Sequence, residues 1–173
     1  MHSLKNLSLK IIYGAPGAGK TTLADLLYNE LSNLAHFGVD HIKRFISGFR
    51  TTPSHNDVSI RVVNAMTAEY LKNGISVIVE QGLTRKEIES LREIAKANGA
   101  LFLVYRLEAE NDILSERIVE RTNRLGKPTI PQEAINEAIS VLKKNDYPST
   151  RVLDSGKMNT REMADVILSD LMK

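Results

Sequence analysis

The sequence predicts an α/β protein in which helices cover both faces of a mostly parallel sheet. Short apolar runs bounded by turn residues alternate with longer amphipathic segments along the whole chain. A glycine-rich loop separates the first apolar run from the first amphipathic segment. The chain has 173 residues, of which 42% are hydrophobic and 25% are charged, a composition that supports one packed core. We therefore expect residues 1–173 to form a single domain.

The first half of the chain predicts three strands and two helices. Strands are predicted at residues 8–13, 35–39 and 75–80, and the second of them should end at Asp40. The third strand is an unbroken run rich in β-branched residues, which favours burial on both faces. One helix should begin near Lys20, because leucines recur at helical spacing after it, and the other should cover residues 57–73 and end at Gly74.

The second half predicts two further strands and four helices. Thr84 and Glu87 form a capping-box pattern for a helix that Gly99 should end, and Asn159 and Glu162 form the same pattern for the last helix. The strands are predicted at residues 101–107 and 151–154, and the other helices at residues 110–122 and 132–143. A loop with one glycine and two prolines is predicted at residues 123–131.

Composition excludes several classes of function. The 23 basic and 21 acidic side chains give a net charge of +2, so overall charge does not favour nucleic-acid or membrane binding. The absence of cysteine excludes a disulfide framework, a thiolate zinc site and a catalytic thiol. No apolar run approaches the roughly 20 residues that span a bilayer, and residues 1–10 lack the apolar core of a signal peptide. We expect a cytoplasmic protein.

The glycine-rich loop "GAPGAGKTT" predicts a phosphate-binding site. It fits the pattern G-x-x-x-x-G-K-[ST] and lies between a predicted strand and a predicted helix, as that pattern requires. Backbone N–H groups of such a loop converge on a phosphate, and the helix N-terminus adds partial positive charge. Lys20 should bridge the β- and γ-phosphates of ATP, and the Thr21 hydroxyl should ligate Mg²⁺. The predicted nucleotide-binding residues are Gly14, Ala15, Pro16, Gly17, Ala18, Gly19, Lys20, Thr21 and Thr22.

Two classes of nucleotide-using protein do not fit the rest of the chain. A guanine-nucleotide switch would carry an N/T-K-x-D segment and a D-x-x-G segment, and the sequence contains neither. A remodelling motor would place an acidic pair after its acid-bearing strand and add a helical lid domain. Here that strand ends Val79-Glu80-Gln81, with one acid instead of a pair, and too little chain remains for a separate lid domain. With these two classes excluded, the organisation of a kinase remains.

Four segments in order, "GAPGAGKTT", the strand ending at Asp40, "VIVEQGLTR" and "ERIVERTNR", resemble the P-loop kinase superfamily. This group includes nucleoside monophosphate kinases, shikimate and gluconate kinases, polynucleotide 5′-kinases and zeta-toxin-type kinases. The resemblance implies a three-layer fold with a five-stranded parallel sheet. It also implies a short lid at about residues 117–131 and an acceptor-site segment at about residues 40–61.

The resemblance implies roles for four residues on the acceptor side. Asp40 would orient or deprotonate the acceptor hydroxyl, although it would serve equally as a helix N-cap. Glu80 ends an apolar strand and should emerge into a polar site, where it serves either Mg²⁺ or the acceptor. Polynucleotide kinases have an arginine three positions after the aspartate, whereas here the predicted substrate-binding Arg44 comes four positions after it. This offset weakens the case for a nucleic-acid 5′-end as the substrate. Arg85 would contact an acceptor anion or be an exposed first-turn residue of its helix.

Three arginines are spaced to share one face of a helix that leads into the predicted lid. Arg117, Arg121 and Arg124 stand at i, i+4 and i+7. Such a stripe can be solvated and paired with glutamates, but arginines beside a mobile loop also neutralise charge in phosphoryl transfer. The resemblance implies that Arg117 lies against the adenine, that Arg121 reaches the phosphates and that Arg124 is a lid cation. The turn at 154–157 resembles the one that meets the adenine ring.

The sequence thus predicts an ATP- and Mg²⁺-dependent kinase that phosphorylates a small-molecule hydroxyl or phosphate. The residues predicted to be catalytic are Lys20, Asp40, Arg121 and Arg124. The four histidines show no metal-ligand spacing and are interpreted as surface or capping residues. Two alternatives stay open: an ATP-binding regulatory module without an acceptor site, and a less favoured polynucleotide 5′-hydroxyl kinase. The second would need a basic path through Lys43, Arg44, Arg50 and Arg61.

Overall fold

A computed structural model describes residues 6–48, 52–126, 129–144 and 146–172. Within these ranges, five strands form one all-parallel sheet in the order β2-β3-β1-β4-β5. The strands are β1 (Ser8–Gly14), β2 (Leu34–Phe37), β3 (Ser76–Glu80), β4 (Leu101–Glu108) and β5 (Arg151–Asp154). The predicted α/β class and five-stranded parallel sheet are confirmed.

Helices pack on both faces of this sheet and complete three layers. The described helices are α1 (Lys20–Glu30), α2 (Val39–Lys43), α3 (Pro53–Lys72), α4 (Arg85–Ala97), α5 (Asn111–Leu125), α6 (Gln132–Lys144) and α7 (Thr160–Leu171). One buried cluster joins the sheet to α1, α5, α6 and α7, and the other joins it to α2, α3 and α4. Successive β1 residues alternate between the clusters, as Ile11 and Ile12 do, which is why this strand is buried on both faces.

The central position of β1 places the glycine-rich loop at the carboxyl edge of the sheet. In the parallel register, Ile11 pairs with Val79 of β3 and Val104 of β4. At the end of β1, a Cβ on Gly14 would lie 2.5 Å from Leu107 O, so only glycine fits between these strands. Ligands of open parallel sheets collect at this edge.

Both predicted capping boxes are present. Thr84 Oγ1 accepts the Glu87 N–H at 3.4 Å and the Glu87 carboxylate accepts the Thr84 N–H at 2.6 Å. Asn159 and Glu162 make the same exchange at the start of α7. The helix predicted at 57–73 starts earlier, at Pro53, because the Thr52 hydroxyl caps it and proline fits the first helical position.

Two boundaries differ from the prediction in ways that affect the site. β2 ends at Phe37 rather than Val39, because Gly38 caps α2 and Asp40 therefore lies in the first turn of that helix. Helix α5 continues to Leu125 and ends at Gly126, whose φ of 60° is left-handed. The predicted lid loop is therefore shorter than residues 123–131, and residues 127–128 lie outside the described ranges.

Candidate functional site

The glycine-rich loop after β1 closes on itself. The Ala18 N–H donates to Ala15 O at 3.2 Å, and Lys20 Nζ donates to the same carbonyl at 3.0 Å. Gly17 and Gly19 have left-handed φ values of 82° and 90°. Gly19 is the N-cap of α1 and provides no side-chain acceptor, so the first N–H groups of α1 remain available to an anion.

Helix α5 packs directly against this loop. A Cβ on Gly17 would lie 2.7 Å from Leu114 O and 3.2 Å from Ile118 Cγ1. This close approach requires glycine at position 17. It also fixes the distance between the loop and the helix that carries the predicted arginine face.

Thr21 and Glu80 meet at the carboxyl edge of the sheet. The Thr21 hydroxyl donates to Glu80 Oε1 at 3.0 Å. Glu80 is only 7% exposed, and burial raises the pKa of its carboxyl, while Lys20 and the Thr21 bond act in the opposite direction. The expectation that this acid emerges into a polar site agrees with these contacts.

Lys20 lies within electrostatic reach of three other predicted residues. Burial lowers the pKa of its ammonium group, the carboxylates of Glu80 and Asp40 favour its charged form, and Arg121 disfavours it. Four predicted residues from α1, β3, α2 and α5 thus act on one another electrostatically: Lys20, Glu80, Asp40 and Arg121.

Arg121 carries a polar atom that the protein leaves unsatisfied. Its Nε is buried and has no hydrogen-bond partner among the described residues. A buried unsatisfied donor is costly, and here it belongs to a cation placed near a second cation, Lys20. An anionic ligand between the two would supply the missing acceptor and reduce their repulsion.

The oxygen atoms of Thr21 and Glu80 fit a hard divalent cation such as Mg²⁺. In the described ranges, no group of three or more histidine or acidic side chains could hold a metal on its own. Mg²⁺ usually binds through one or two protein oxygens together with substrate phosphates, and Thr21 and Glu80 fit that coordination pattern.

The acceptor side is more open. The Asp40 side chain is 64% exposed and its Oδ1 lies 3.3 Å from Lys43 Nζ. The Asp40 backbone N–H donates to Gln81 Oε1 at 3.4 Å, which links α2 to the residue after β3. Asp40 is not the N-cap of α2, so the alternative structural role considered for it is wrong.

Gly38 connects this side to the buried acid. A Cβ at this position would lie 2.2 Å from Glu80 O, so the chain between β2 and α2 passes directly over the end of β3. Neither Gly38 nor Gln81 was predicted as a site residue. The available sequence signal was that position 38 is a glycine, directly before Val39 and the predicted site residue Asp40.

Three predicted arginines lie apart from this group. Arg44 is the exposed C-cap residue of α2, and Arg124 is exposed in the last turn of α5. Arg85 is the exposed first residue of α4 and lines a separate cleft with Arg92 and Tyr147. Among the described residues, no hydrogen bond or ion pair joins these arginines to Lys20 or Glu80, and their roles stay predictions.

Arg117 contacts the turn after β5. Its Nη2 donates to Ser155 O at 2.7 Å and its Nη1 donates to Ser155 Oγ at 3.3 Å. Two features that resembled adenine-binding segments, the arginine face and the turn at 154–157, are thus in direct contact. Ser155 was not singled out from the sequence, because a serine in a turn carries no distinctive signal.

The interpretation of His36 as a surface or capping residue is wrong. Its side chain is 7% exposed, its Nδ1 lies 3.4 Å from Asp25 Oδ1, and burial lowers its pKa. The His41 ring meets it edge-on at 5.9 Å between ring centres. His36 was missed because β2 is an edge strand whose inward face α1 covers.

The family model described as an AAA domain matches residues 9–144. No curated protein matches the chain in sequence. In the described part, no helix is both long enough and apolar enough to cross a membrane.

Solved structures with the same fold include kinases. A candidate kinase from Chloroflexus aurantiacus J-10-fl is 19% identical, with a TM-score of 0.74 over 96% of this chain and 97% of that one. A gluconokinase from Sinorhizobium meliloti 1021 is 16% identical, with a TM-score of 0.68 over 95% and 91%. A chain of the Pnkp1/Rnl/Hen1 RNA repair complex is 23% identical, with a TM-score of 0.67 over 92% of this chain and 51% of that one. The chain therefore belongs to the AAA domain family, and it shares its fold with solved structures of kinases.

Proposed function

We propose that the protein is an ATP-dependent phosphotransferase that moves the γ-phosphoryl group to a hydroxyl of a small polar molecule. The observation that carries the proposal is the buried Nε of Arg121, which has no hydrogen-bond partner among the described residues and belongs to a cation that acts electrostatically on Lys20. Lys20 belongs to a complete phosphate-binding loop, and helix α5 packs on that loop through Leu114 and Ile118. Asp40 acts electrostatically on the same lysine. A donor phosphate between the cations would therefore lie near a carboxylate that can orient an acceptor.

In this mechanism the loop N–H groups and Lys20 hold the phosphate chain, and Arg121 stabilises charge on the transferring group. Asp40 orients the acceptor hydroxyl and takes its proton. The acceptor oxygen forms a bond to the γ-phosphorus as the bond from that phosphorus to the β–γ bridging oxygen breaks, and ADP leaves. The protein contributes mainly positioning and electrostatic stabilisation.

Thr21 and Glu80 would hold Mg²⁺ beside the phosphates. When bound, the ion would neutralise negative charge on the β- and γ-phosphates. Glu80 therefore serves the metal in this proposal rather than the acceptor. Burial raises the pKa of the Glu80 carboxyl and so favours its neutral form, whereas the positive charge of Lys20 favours the ionised form that binds a metal.

The side chains around the acceptor position favour a hydroxyl over a phosphate as the acceptor group. Asp40 and Glu80 are acidic, and Lys43, the nearest cation on α2, lies 3.3 Å from Asp40 and is only 12% exposed. Arg85, for which contact with an acceptor anion is one of two predicted roles, lines a cleft with Arg92 and Tyr147. The structural similarity to a gluconokinase agrees with a polyol-like acceptor.

A polynucleotide 5′-hydroxyl kinase is the second candidate. It is favoured by the similarity to a chain of an RNA repair complex and by the exposed Arg44 and Arg61. Arg50, the other arginine of the predicted basic path, lies outside the described residues. The pairing of Lys43 with Asp40 removes one cation from that path, so this candidate ranks below the small-molecule kinase.

A panel of acceptors with γ-labelled ATP tests the proposal. The panel contains polyols, sugar acids, nucleoside monophosphates and an oligonucleotide with a 5′-hydroxyl. We expect Mg²⁺-dependent label transfer to a polyol or sugar acid, and loss of that transfer in Arg121→Ala. Labelling of the oligonucleotide alone would favour the second candidate. ATP binding without transfer to any acceptor in the panel would favour a regulatory ATP-binding module.

A further inference from the structure

Ser155 anchors the turn between β5 and α7. The residue is 2% exposed, and its N–H and hydroxyl donate to Glu108 O at 2.7 Å and 3.0 Å. In the same turn, Asp154 Oδ1 accepts the Gly156 N–H at 3.0 Å. Two donors on one carbonyl fix the turn against the end of β4.

The same residue fixes the guanidinium of Arg117. Ser155 O accepts Nη2 at 2.7 Å and Ser155 Oγ accepts Nη1 at 3.3 Å. Because a guanidinium is planar, bonds to both terminal nitrogens set the orientation of the whole group. The Ser155 hydroxyl thus has two roles. It accepts a hydrogen bond from Nη1 of Arg117, and it holds the turn whose carbonyl accepts the bond from Nη2.

Helix α5 carries Arg117 among the residues that contact the phosphate-binding loop. Gly17 contacts Leu114 and Ile118, which lie three positions before Arg117 and one position after it. Arg121, one turn further on, interacts with Lys20. From this order along α5, we place the nucleoside end of a nucleotide whose phosphates lie on the loop beside Arg117 and the Ser155 turn.

We propose that Ser155 is a positioning residue for nucleotide recognition, which fixes Arg117 so that the face of its guanidinium supports the nucleobase. The inference rests on the proposed ATP binding. Guanidinium groups stack on aromatic rings, and a fixed plane avoids the loss of side-chain freedom on binding. Ser155 acts through Arg117 and needs no contact with the nucleotide.

Calorimetric titration with ATP and with inorganic tripolyphosphate tests this role. Both ligands carry three phosphates, but only ATP carries a base. Ser155→Ala should weaken ATP binding about three- to tenfold, the usual effect of losing one or two hydrogen bonds, and leave tripolyphosphate binding unchanged. The KM for ATP should rise by the same factor while kcat stays constant. Ser155→Cys keeps the side-chain volume and should show the same selective loss if the alanine variant folds poorly.

A double-mutant cycle separates positioning from general support of the fold. In an Arg117→Met background, Ser155→Ala should cause no further loss of ATP affinity, because the group through which it acts is gone. Ser115→Ala is the matched control, since Ser115 lies on the same helix but bonds to Asn111 O and the Gln132 side chain. This control should bind ATP like the wild type.

Three outcomes overturn the inference: equal weakening of ATP and tripolyphosphate, unchanged ATP affinity in both Ser155 variants, or an equal loss in the two arginine backgrounds. In each case the wild type still binds ATP, so the proposed function survives. A wild-type protein that binds neither ligand would overturn the proposed function and, with it, the inference.

Discussion

The nucleotide side and the acceptor side of the site are built differently. On the nucleotide side, Gly17 packs on α5 and Arg117 donates twice to Ser155. On the acceptor side, the five-residue helix α2 carries an exposed Asp40, whose backbone N–H donates to Gln81 Oε1 in a long hydrogen bond of 3.4 Å. The nucleotide side is thus held before any ligand arrives, whereas the Asp40 carboxylate of the acceptor side is largely exposed.

This difference indicates how the two halves contribute to specificity. A held nucleotide side loses little conformational entropy on binding, which favours affinity for a common donor. An exposed acceptor side on a short helix can change its side chains with little effect on the core. The following changes test whether the two halves are as separate as the structure suggests.

The largest effect is expected from Lys20→Ala. Lys20 interacts with Glu80, Asp40 and Arg121, so its loss removes the cation that joins the two halves. Phosphoryl transfer should fall at least about 100-fold, as when a preorganised charge-stabilising group is removed, with the circular dichroism spectrum unchanged. Lys96→Ala, in the last turn of α4, is the control and should keep full activity. Normal turnover in Lys20→Ala would contradict the assigned role.

A large effect on stability is expected from Lys10→Met, in the strand that carries the phosphate-binding loop. Lys10 is fully buried, donates to Ser8 Oγ at 2.8 Å and has no carboxylate partner among the described residues. Burial lowers the pKa of its ammonium group to about 7. The folded chain therefore holds fewer protons than the unfolded chain between about pH 7 and the usual lysine pKa of 10.5.

The wild-type free energy of unfolding should rise with pH across that window, because the unfolded chain binds the extra proton. The methionine variant lacks this contribution and should be more stable at pH 7, by about 2 to 4 kcal/mol. Denaturant unfolding at pH 7 and pH 9.5 measures both quantities. An equal pH dependence in the two proteins would show that Lys10 stays charged in the folded state.

A smaller effect is expected from Gly38→Ala, which acts first on the position of α2 and the acceptor side. Its Cβ would lie 2.2 Å from Glu80 O, so α2 must shift away from β3. We expect a loss of about 1 to 3 kcal/mol in stability and a raised KM for the acceptor, with ATP affinity within about twofold of wild type. Gly82→Ala is the control, because the nearest atom to its Cβ is 4.0 Å away. A large loss of ATP affinity in Gly38→Ala would show that the two halves are coupled.

The sequence predicted the fold because its signals are local. Glycines, capping residues and apolar periodicity determine where each helix and strand begins, and both capping boxes are present. Boundaries were missed where one residue outweighed the pattern. Gly38 ends β2 two residues early, and Gly126 ends α5, which was predicted to end at Thr122.

The site was predicted best where a motif fixes geometry. Lys20 and Thr21 follow from the glycine loop, and Thr21 contacts Glu80. Ser155 and Gln81 could not be found in the same way, because their roles depend on chain segments that meet only in the folded protein. The separate position of Arg85 likewise depends on how α4 leaves the sheet, which its sequence spacing does not determine.

The most direct test of the phosphotransferase assignment measures ATP affinity and phosphoryl transfer in Asp40→Asn. The substitution keeps the shape of the side chain but removes the carboxylate that would accept the hydroxyl proton. We predict ATP affinity within about threefold of wild type and a transfer rate reduced about 100-fold or more, the scale of general-base catalysis. Unchanged affinity together with an unchanged transfer rate would contradict the proposed role of Asp40 and the acceptor site built around it.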